Sequence, residues 1–410
     1  MASLMLGIDF SKTDMQISLW DEERTCADVY HFPENPGGDA IPVMVIQAED
    51  GTLLIAKEAL DYGMETQKQG VTSLYGNVSN ELVNLGSQSK TVNELFAFYL
   101  KEVLDSIRKR YGEASIARIG ITGERLTKEK EEHLAVVMES IGYSRDKLFF
   151  TSHADAVLWH ELCTGVEKGS MTLDFDSQGM VSYLVHAGNE DRGIPYYVET
   201  ADYSRHLPGG LANLLEEEER TEHFTNITEL AIARKAMSRL YVTGTFIDNP
   251  AIVKVLERYF NTGRRIFTGR GLYCLGACYH AVKEKFPKKA IGDGRIFHTV
   301  SLEAYQDAVE GPVRLLKAGT SLWQARARIQ VILDDTKEMK FHIADARTAE
   351  SISCTLHPEE FYSRENKTLR LELEIRFLDY ETLVLKIRDV GFGDIRPATY
   401  RVWEQTIHLA

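Results

Sequence analysis

The spacing of apolar and polar positions changes several times along the chain, and the changes divide it. Leu4-Met5-Leu6-Gly7-Ile8-Asp9-Phe10 is an apolar run closed by the polar turn Ser11-Lys12-Thr13-Asp14, after which Met15 to Trp20 alternates. A run, a tight turn and a period of two predict a β-hairpin with an aspartate at the end of its first strand. The same order returns at Met171-Thr172-Leu173-Asp174-Phe175, the turn Asp176-Ser177-Gln178-Gly179, and the strand Met180-Val181-Ser182-Tyr183-Leu184-Val185. Asp174 therefore stands in the second hairpin where Asp9 stands in the first. Two hairpins of one pattern predict a duplicated α/β lobe.

Between the hairpins, residues 91–111 place Leu95, Phe96, Phe98, Tyr99, Val103, Leu104 and Ile107 at the spacing of an amphipathic helix. Residues 117–122 read as a buried strand, and 127–141 as a helix with Thr127 at its N-cap. Lys130 stands where a capping-box acid would sit, so that cap is incomplete. A strand at 148–151 and a helix at 154–162 follow. This order predicts a sheet with a mostly parallel interior. Beyond the second hairpin, Pro208-Gly209-Gly210 opens a helical stretch with the solvated acid run Glu216 to Glu219, and Leu240 to Gly244 is a strand ending in a glycine turn. Asn249-Pro250 starts one helix and 271–285 forms another. Near Gly292-Asp293-Gly294 helical periods give way to strands at 323–333, 340–343, 351–356, 368–378 and 382–388, which predict a separate β-sandwich.

Composition narrows the function classes. Of 410 residues, 44% are hydrophobic and 26% charged, as in a folded chain, and the length implies two or three domains. A net charge of −14 argues against non-specific binding of nucleic acid or anionic membrane. No apolar stretch reaches the ~18 residues of a membrane helix. Met1 to Met5 lacks the marks of a signal peptide, and the five cysteines, odd in number, suit reduced thiols, so a cytoplasmic location is expected. Cys274 and Cys278 are expected in the core of a helix, with no zinc set around them; His280 is too close to serve.

Most chemical motifs fail. No Walker loop is present, and Gly269-Arg270-Gly271 with Gly276 is too stretched for a dinucleotide fingerprint. Ser152, His153 and Asp155 are adjacent at one helix start, where local capping explains them better than a catalytic triad.

The order of these elements resembles that of the actin-like and sugar-kinase-like ATPases, and more closely the seventy-kilodalton heat-shock chaperones. Gly7-Ile8-Asp9-Phe10-Ser11-Lys12-Thr13 is similar to their first phosphate hairpin. Ile41-Pro42-Val43, Leu54 to Ala59, Ile119 to Gly142, Leu173 to Ser177, Val242-Thr243-Gly244-Thr245 and Leu275-Gly276-Ala277-Cys278 resemble later segments in the same order. The resemblance implies an α/β fold: duplicated ribonuclease-H-like (actin-like ATPase) lobes at 1–160 and 161–294, the second shortened. A C-terminal β-sandwich at 295–410 resembles the chaperones' peptide-binding domain, without room for a helical lid. It implies ATP and Mg²⁺ as cofactors, the metal held through water by Asp9 and Asp174. Lys12, Thr13 and Gly179 would then lie at the phosphates and Gly244 at the adenosine.

The departures bear on mechanism. Ser11 replaces an expected glycine, Asp176-Ser177-Gln178 replaces glycines of the second turn, and Thr243 replaces one glycine of the adenosine turn. Ser152 stands where the family has the glutamate that positions attacking water, and the phosphate-contacting lysine has no counterpart near 71–78. By that resemblance, the short segment before Tyr241 leaves out half of the base pocket. The expectation is a degenerate nucleotide site with weak or absent ATPase activity and no catalytic residue. Asp9 and Asp174 then cap turns, and a protein or peptide partner binds through the β domain. The alternatives are an active ATP-dependent chaperone or actin-like ATPase, and a small-molecule kinase with Glu124 as base.

Overall fold

The computed structural model describes residues 3–33, 35, 38–72, 74–76, 79–85, 88–165, 169–176, 179–206, 217–233, 235–259, 265–306, 309–334, 338–357, 365 and 367–409. The chain divides into two compact units, residues 1–187 with 198–288, and residues 188–197 with 289–410. Both expected lobes thus fall in one unit, while the short segment 188–197 groups with the C-terminal part.

The first unit opens with the expected hairpin, β1 (Ser3–Phe10) and β2 (Asp14–Asp21), followed by β3 (Cys26–Val29). The short strand β4 (Ala40–Pro42) pairs with β2. A small sheet of β5 (Met44–Gln47), β6 (Leu53–Ile55) and β7 (Val71–Thr72) carries α1 (Ala56–Thr66), and β8 (Leu82–Leu85) pairs with β9 (Gln88–Thr91). Helix α2 (Val92–Arg110) starts at a complete capping box, in which Thr91 and Glu94 satisfy each other's backbone amide. Next come β10 (Ser115–Gly123), α3 (Lys128–Ser140), β11 (Leu148–Phe150) and α4 (His153–Thr164). The strand order is β11-β10-β1-β2-β3, with β1 parallel to β10 and antiparallel to β2. Thr127 accepts from the Lys130 amide with no reciprocal acid, as its sequence predicts.

A second sheet follows, built from β12 (Ser170–Phe175), β13 (Met180–His186), β14 (Tyr196–Asp202), β15 (Arg239–Thr243) and β16 (Arg265–Thr268) in the order β16-β15-β12-β13-β14. Here too the first strand is antiparallel to its hairpin partner and parallel to the strand on its other side. Helices α5 (Glu217–Ile232), α6 (Pro250–Glu257) and α7 (Leu272–Lys283) complete the unit. The 208–210 opening of the expected acid-rich helix and Glu216 lie outside the described residues, as do Ser177 and Gln178.

Each sheet buries one face in its own core. Leu4, Leu6, Ile8 and Phe10 of β1 pack with α2 and α3 residues such as Phe96 and Leu134. Met171, Leu173 and Phe175 of β12 pack with Phe224 of α5 and Ile252 of α6. The opposite faces, bearing Asp9 and Asp174, meet α4 and α7. There α7 lies so close that a Cβ on Gly7 would stand 2.0 Å from the Cys274 carbonyl, and one on Gly276 would stand 1.9 Å from the Ala156 carbonyl of α4. Glycine is therefore a steric requirement at these crossings. Cys274 and Cys278 are fully buried in this layer, as expected.

The second unit pairs β17 (Ala290–Ile291) with Tyr196 and Tyr197. It then builds two antiparallel sheets from β18 (His298–Gln306), β19 (Val309–Leu316), β20 (Arg326–Ile332), β21 (Met339–Asp345), β22 (Ser351–Leu356), β23 (Arg370–Phe377), β24 (Thr382–Asp389) and β25 (Val402–His408). The orders are β19-β18-β21-β22 and β20-β23-β24-β25, and the two sheets share one core. The continuous strand expected at 323–333 instead begins with a 3₁₀ turn at Leu322–Gln324. Strands β18, β19 and β25 were not legible in the pattern. Pro312 lies within β19, which the fold tolerates because β19 is an edge strand. Among the described residues no helix is long and apolar enough to cross a membrane.

Candidate functional site

Strand ends place the site. β1 and β12 each finish beside a parallel neighbour, so Asp9 lies opposite Thr122 of β10, and Asp174 opposite Thr243 of β15. Both aspartates line one cleft within the first unit, enclosing about 580 Å³ of space partly open to solvent. Asp14, Gln16, Glu124, His153, Asp176, Thr243, Gly244, Arg270 and Tyr273 are among its other walls.

The degenerate-site reading expected the two carboxylates to cap turns; instead they reach across to helices. The His153 ring, in the first turn of α4, lies with Nε2 2.8 Å from Asp9 Oδ1. The Tyr273 hydroxyl, in the first turn of α7, donates to Asp174 Oδ2 at 2.6 Å. The two rings stack, with centroids 3.8 Å apart and planes 2° from parallel. Asp9, His153, Tyr273 and Asp174 thus form one continuous tie across the cleft floor. Ser152 is the N-cap of α4, accepting from the Asp155 amide, so capping accounts for Ser152 but not for its neighbour His153.

Electrostatics follow from this burial. Burial pushes the Asp174 carboxyl up to about 6, against lowering by His153 and by the Tyr273 hydrogen bond, with Asp176 and Asp9 adding repulsion. Burial alone would lower His153, but the charge and hydrogen bond of Asp9, helped by Asp174 and Glu124, lift it above its ordinary value. The Tyr273 hydroxyl is driven well above the tyrosine range by burial and by Asp174.

The turns beside the aspartates are closed on themselves. The Ser11 hydroxyl accepts from the Asp14 amide at 3.0 Å and from Thr13 at 3.4 Å, while the Ser11 amide donates to the Asp14 carbonyl. In the second turn the Asp176 amide donates to the Gly179 carbonyl, and Asp176 Oδ1 accepts from the Gly179 amide at 2.9 Å. Lys12 and Thr13 are exposed, and Gly179 is buried against Ser204; none of the three lines the cleft. Gly244 does line it, at φ +105°, where a Cβ would stand 2.1 Å from the Phe175 carbonyl and 2.5 Å from Asp174 Oδ1.

Sequence reasoning weighed His153 and set it aside, and it missed Tyr273, Gln16 and Arg270. The usable signal was position. His153 opens the helix after β11, and Tyr273 opens the helix after β16, so both side chains start at the sheet ends where the aspartates stand.

Two family models match the chain. The model described as "Family of unknown function (DUF5716) C-terminal" covers residues 38–292, more than half of the sequence. The chain belongs to the DUF5716 family. A second model, "Domain of unknown function (DUF8552)", covers residues 295–409. No curated protein gives a significant match. The DUF5716 span includes His153, Asp174 and Tyr273, while the DUF8552 span falls within the second unit.

Proposed function

We propose that this DUF5716 protein is a divergent relative of the seventy-kilodalton heat-shock chaperones, with duplicated ribonuclease-H-like lobes kept as architecture. Its nucleotide site is degenerate, and it works as an interaction or scaffold protein whose β-sandwich carries the protein or peptide contact. The like order of the two sheets, and the helix layer between their aspartate-bearing faces, support the fold reading. The observation that carries the functional reading is the tie from Asp9 through His153 and Tyr273 to Asp174.

The residues present do not fit a magnesium-nucleotide. Both carboxylates that would hold the metal's water are engaged by side chains of the chain itself. The amides that would cradle phosphate at Ser11, Thr13 and Asp14 bond within their own turn. Asp14, Glu124 and Asp176 would face phosphate charge, opposed by Arg270, which is itself paired with Asp248. Hydrolysis would in addition lack a positioned base for water, since Ser152 is used as a helix cap.

Calorimetric titration of magnesium-ATP into the full chain, with Asp9→Ala and Asp174→Ala alongside, tests this. No saturable heat up to about millimolar nucleotide is expected, which bounds binding at ~4 kcal/mol. Micromolar binding removed by both substitutions would overturn the reading in favour of an active ATPase.

One observation favours a second reading, a small-molecule kinase. Glu124 lines the cleft, its amide donating to the Phe10 carbonyl, so it stands beside Asp9 where an acceptor's base would. That reading requires acceptor-dependent consumption of ATP, lost in Glu124→Gln.

A further inference from the structure

In the second unit β20 is an edge strand, pairing only with β23. The Phe377 amide donates to the Ala325 carbonyl, and the Leu333 amide to the Leu369 carbonyl. In this antiparallel ladder the odd-numbered residues between them therefore bond to β23. The amides and carbonyls of Arg326, Arg328, Gln330 and Ile332 point off the edge, and these residues are exposed. Arg326 stands directly opposite Arg376, also exposed, and neither forms an ion pair among the described residues. Like charges set opposite one another destabilise a sheet, and an anion beside them relieves that cost. Glu372 and Glu374 share the face, but Glu372 is engaged by Arg328 at 2.6 Å. Charge is not a general guard of edges in this unit, since the edge strand β22, Ser351–Leu356, carries none. On the other side of β20, Ala327, Ile329 and Val331 are only half-buried against the core.

We propose that β20 takes up an extended acidic peptide segment of a partner protein as an added strand. Alternation places its carboxylates beside Arg326 and Arg328, and the apolar side chains between them beside Ala327, Ile329 and Val331. The free edge offers donors and acceptors in turn. A peptide backbone meets both, whereas a nucleic-acid phosphate only accepts. A second copy of β20 would bring two more arginines to the face and no acid. This inference rests on the reading that the β-sandwich carries the partner contact, and it names the chemistry of that contact.

The probe is a fluorescein-labelled peptide of alternating glutamate and valine with a benzophenone at one end. It is titrated into the full chain by fluorescence anisotropy at about 0.15 M salt, where surface attraction is screened beyond about 8 Å. Saturable binding below about 1 mM is expected, weakened about tenfold by Arg326→Gln, equivalent to ~1.4 kcal/mol. The melting temperature of Arg326→Gln should hold or rise, because the substitution ends the like-charge pair. Gln330→Pro removes one outward donor, as Pro312 does in β19, and should abolish binding. The same peptide N-methylated at alternate amides should also fail to bind, which tests main-chain pairing without altering the protein. Absence of saturable binding overturns the proposal, as does binding undiminished both by Arg326→Gln and by N-methylation. Equal affinity for a lysine–valine peptide or for single-stranded RNA overturns it as well. Photocross-links on β20 or β23 support the proposal. Cross-links elsewhere in 289–410 overturn it while leaving the partner-contact reading standing, and cross-links confined to the first unit overturn both.

Discussion

The sheet around β1 and the sheet around β12 have the same strand order, and each ends its first strand in an aspartate facing one cleft. The two carboxylates are nevertheless held by different chemistry. Asp9 faces an imidazole that can carry charge, whereas Asp174 faces a neutral phenol. The backbone solution follows from apolar patterning and helix–sheet packing, which are alike in both halves. The chemistry at the strand end is set by a single residue in the first turn of an opposing helix, and it is free to differ.

The comparison can be broken most severely at the shared helix layer. Gly276→Val should cost about 3 kcal/mol or more, because the Ala156 carbonyl is backbone and cannot yield. Gly269→Ala, with open space around its Cβ, should stay within about 0.5 kcal/mol in the same denaturant melts. If both behave alike, the close crossing of α4 and α7 is wrong.

The next largest effect separates the two ties. His153→Ala leaves Asp9, 6% exposed, without its partner and should cost about 3 kcal/mol. Tyr273→Phe removes one hydrogen bond from Asp174 and should cost about 1–2 kcal/mol. Equal losses in urea unfolding would erase the distinction between a charged and a neutral tie.

Proton linkage sharpens it further. The Asp174 carboxyl rises from 3.8 to about 6 on folding, so the native state binds more protons than the unfolded chain across that window. Its contribution to stability is therefore greatest at low pH and declines as pH climbs from about 4 to about 6, by roughly 2–3 kcal/mol in total. His153, also raised, adds stability that is full below 6.5 and fades as pH passes its folded value. The melting temperature should thus rise as pH falls from about 8 to about 5, and Asp174→Asn should flatten the lower part of that slope. A slope unchanged in Asp174→Asn would remove Asp174 from this account.

Much of the fold was legible because local pattern and tertiary packing agree in it. The Asp9 and Asp174 hairpins, the amphipathic helix within 91–111, the Thr127 cap and the buried Cys274–Cys278 face all follow from periodicity and a capping residue that keep their local meaning in the structure. Strand β19 was hidden by Pro312, whose tolerance depends on being at a sheet edge, and β25 alternates between exposed and half-buried positions only. The site was half legible. An aspartate at a strand end is a sequence signal. Its partner is not, because His153 lies 144 positions from Asp9, and Tyr273 lies 99 from Asp174. Such pairs are brought together by the packing of α4 and α7 on the sheets, which no local window contains.

The tie itself can be observed directly, by following the ring nitrogens of His153 in ¹⁵N-labelled protein through a pH titration, with and without magnesium-ATP. The account predicts a midpoint above 6.5 that drops in Asp9→Asn, and ring signals that magnesium-ATP leaves in place. A midpoint at or below 6.5, or a saturable shift of those signals on adding magnesium-ATP, would contradict it.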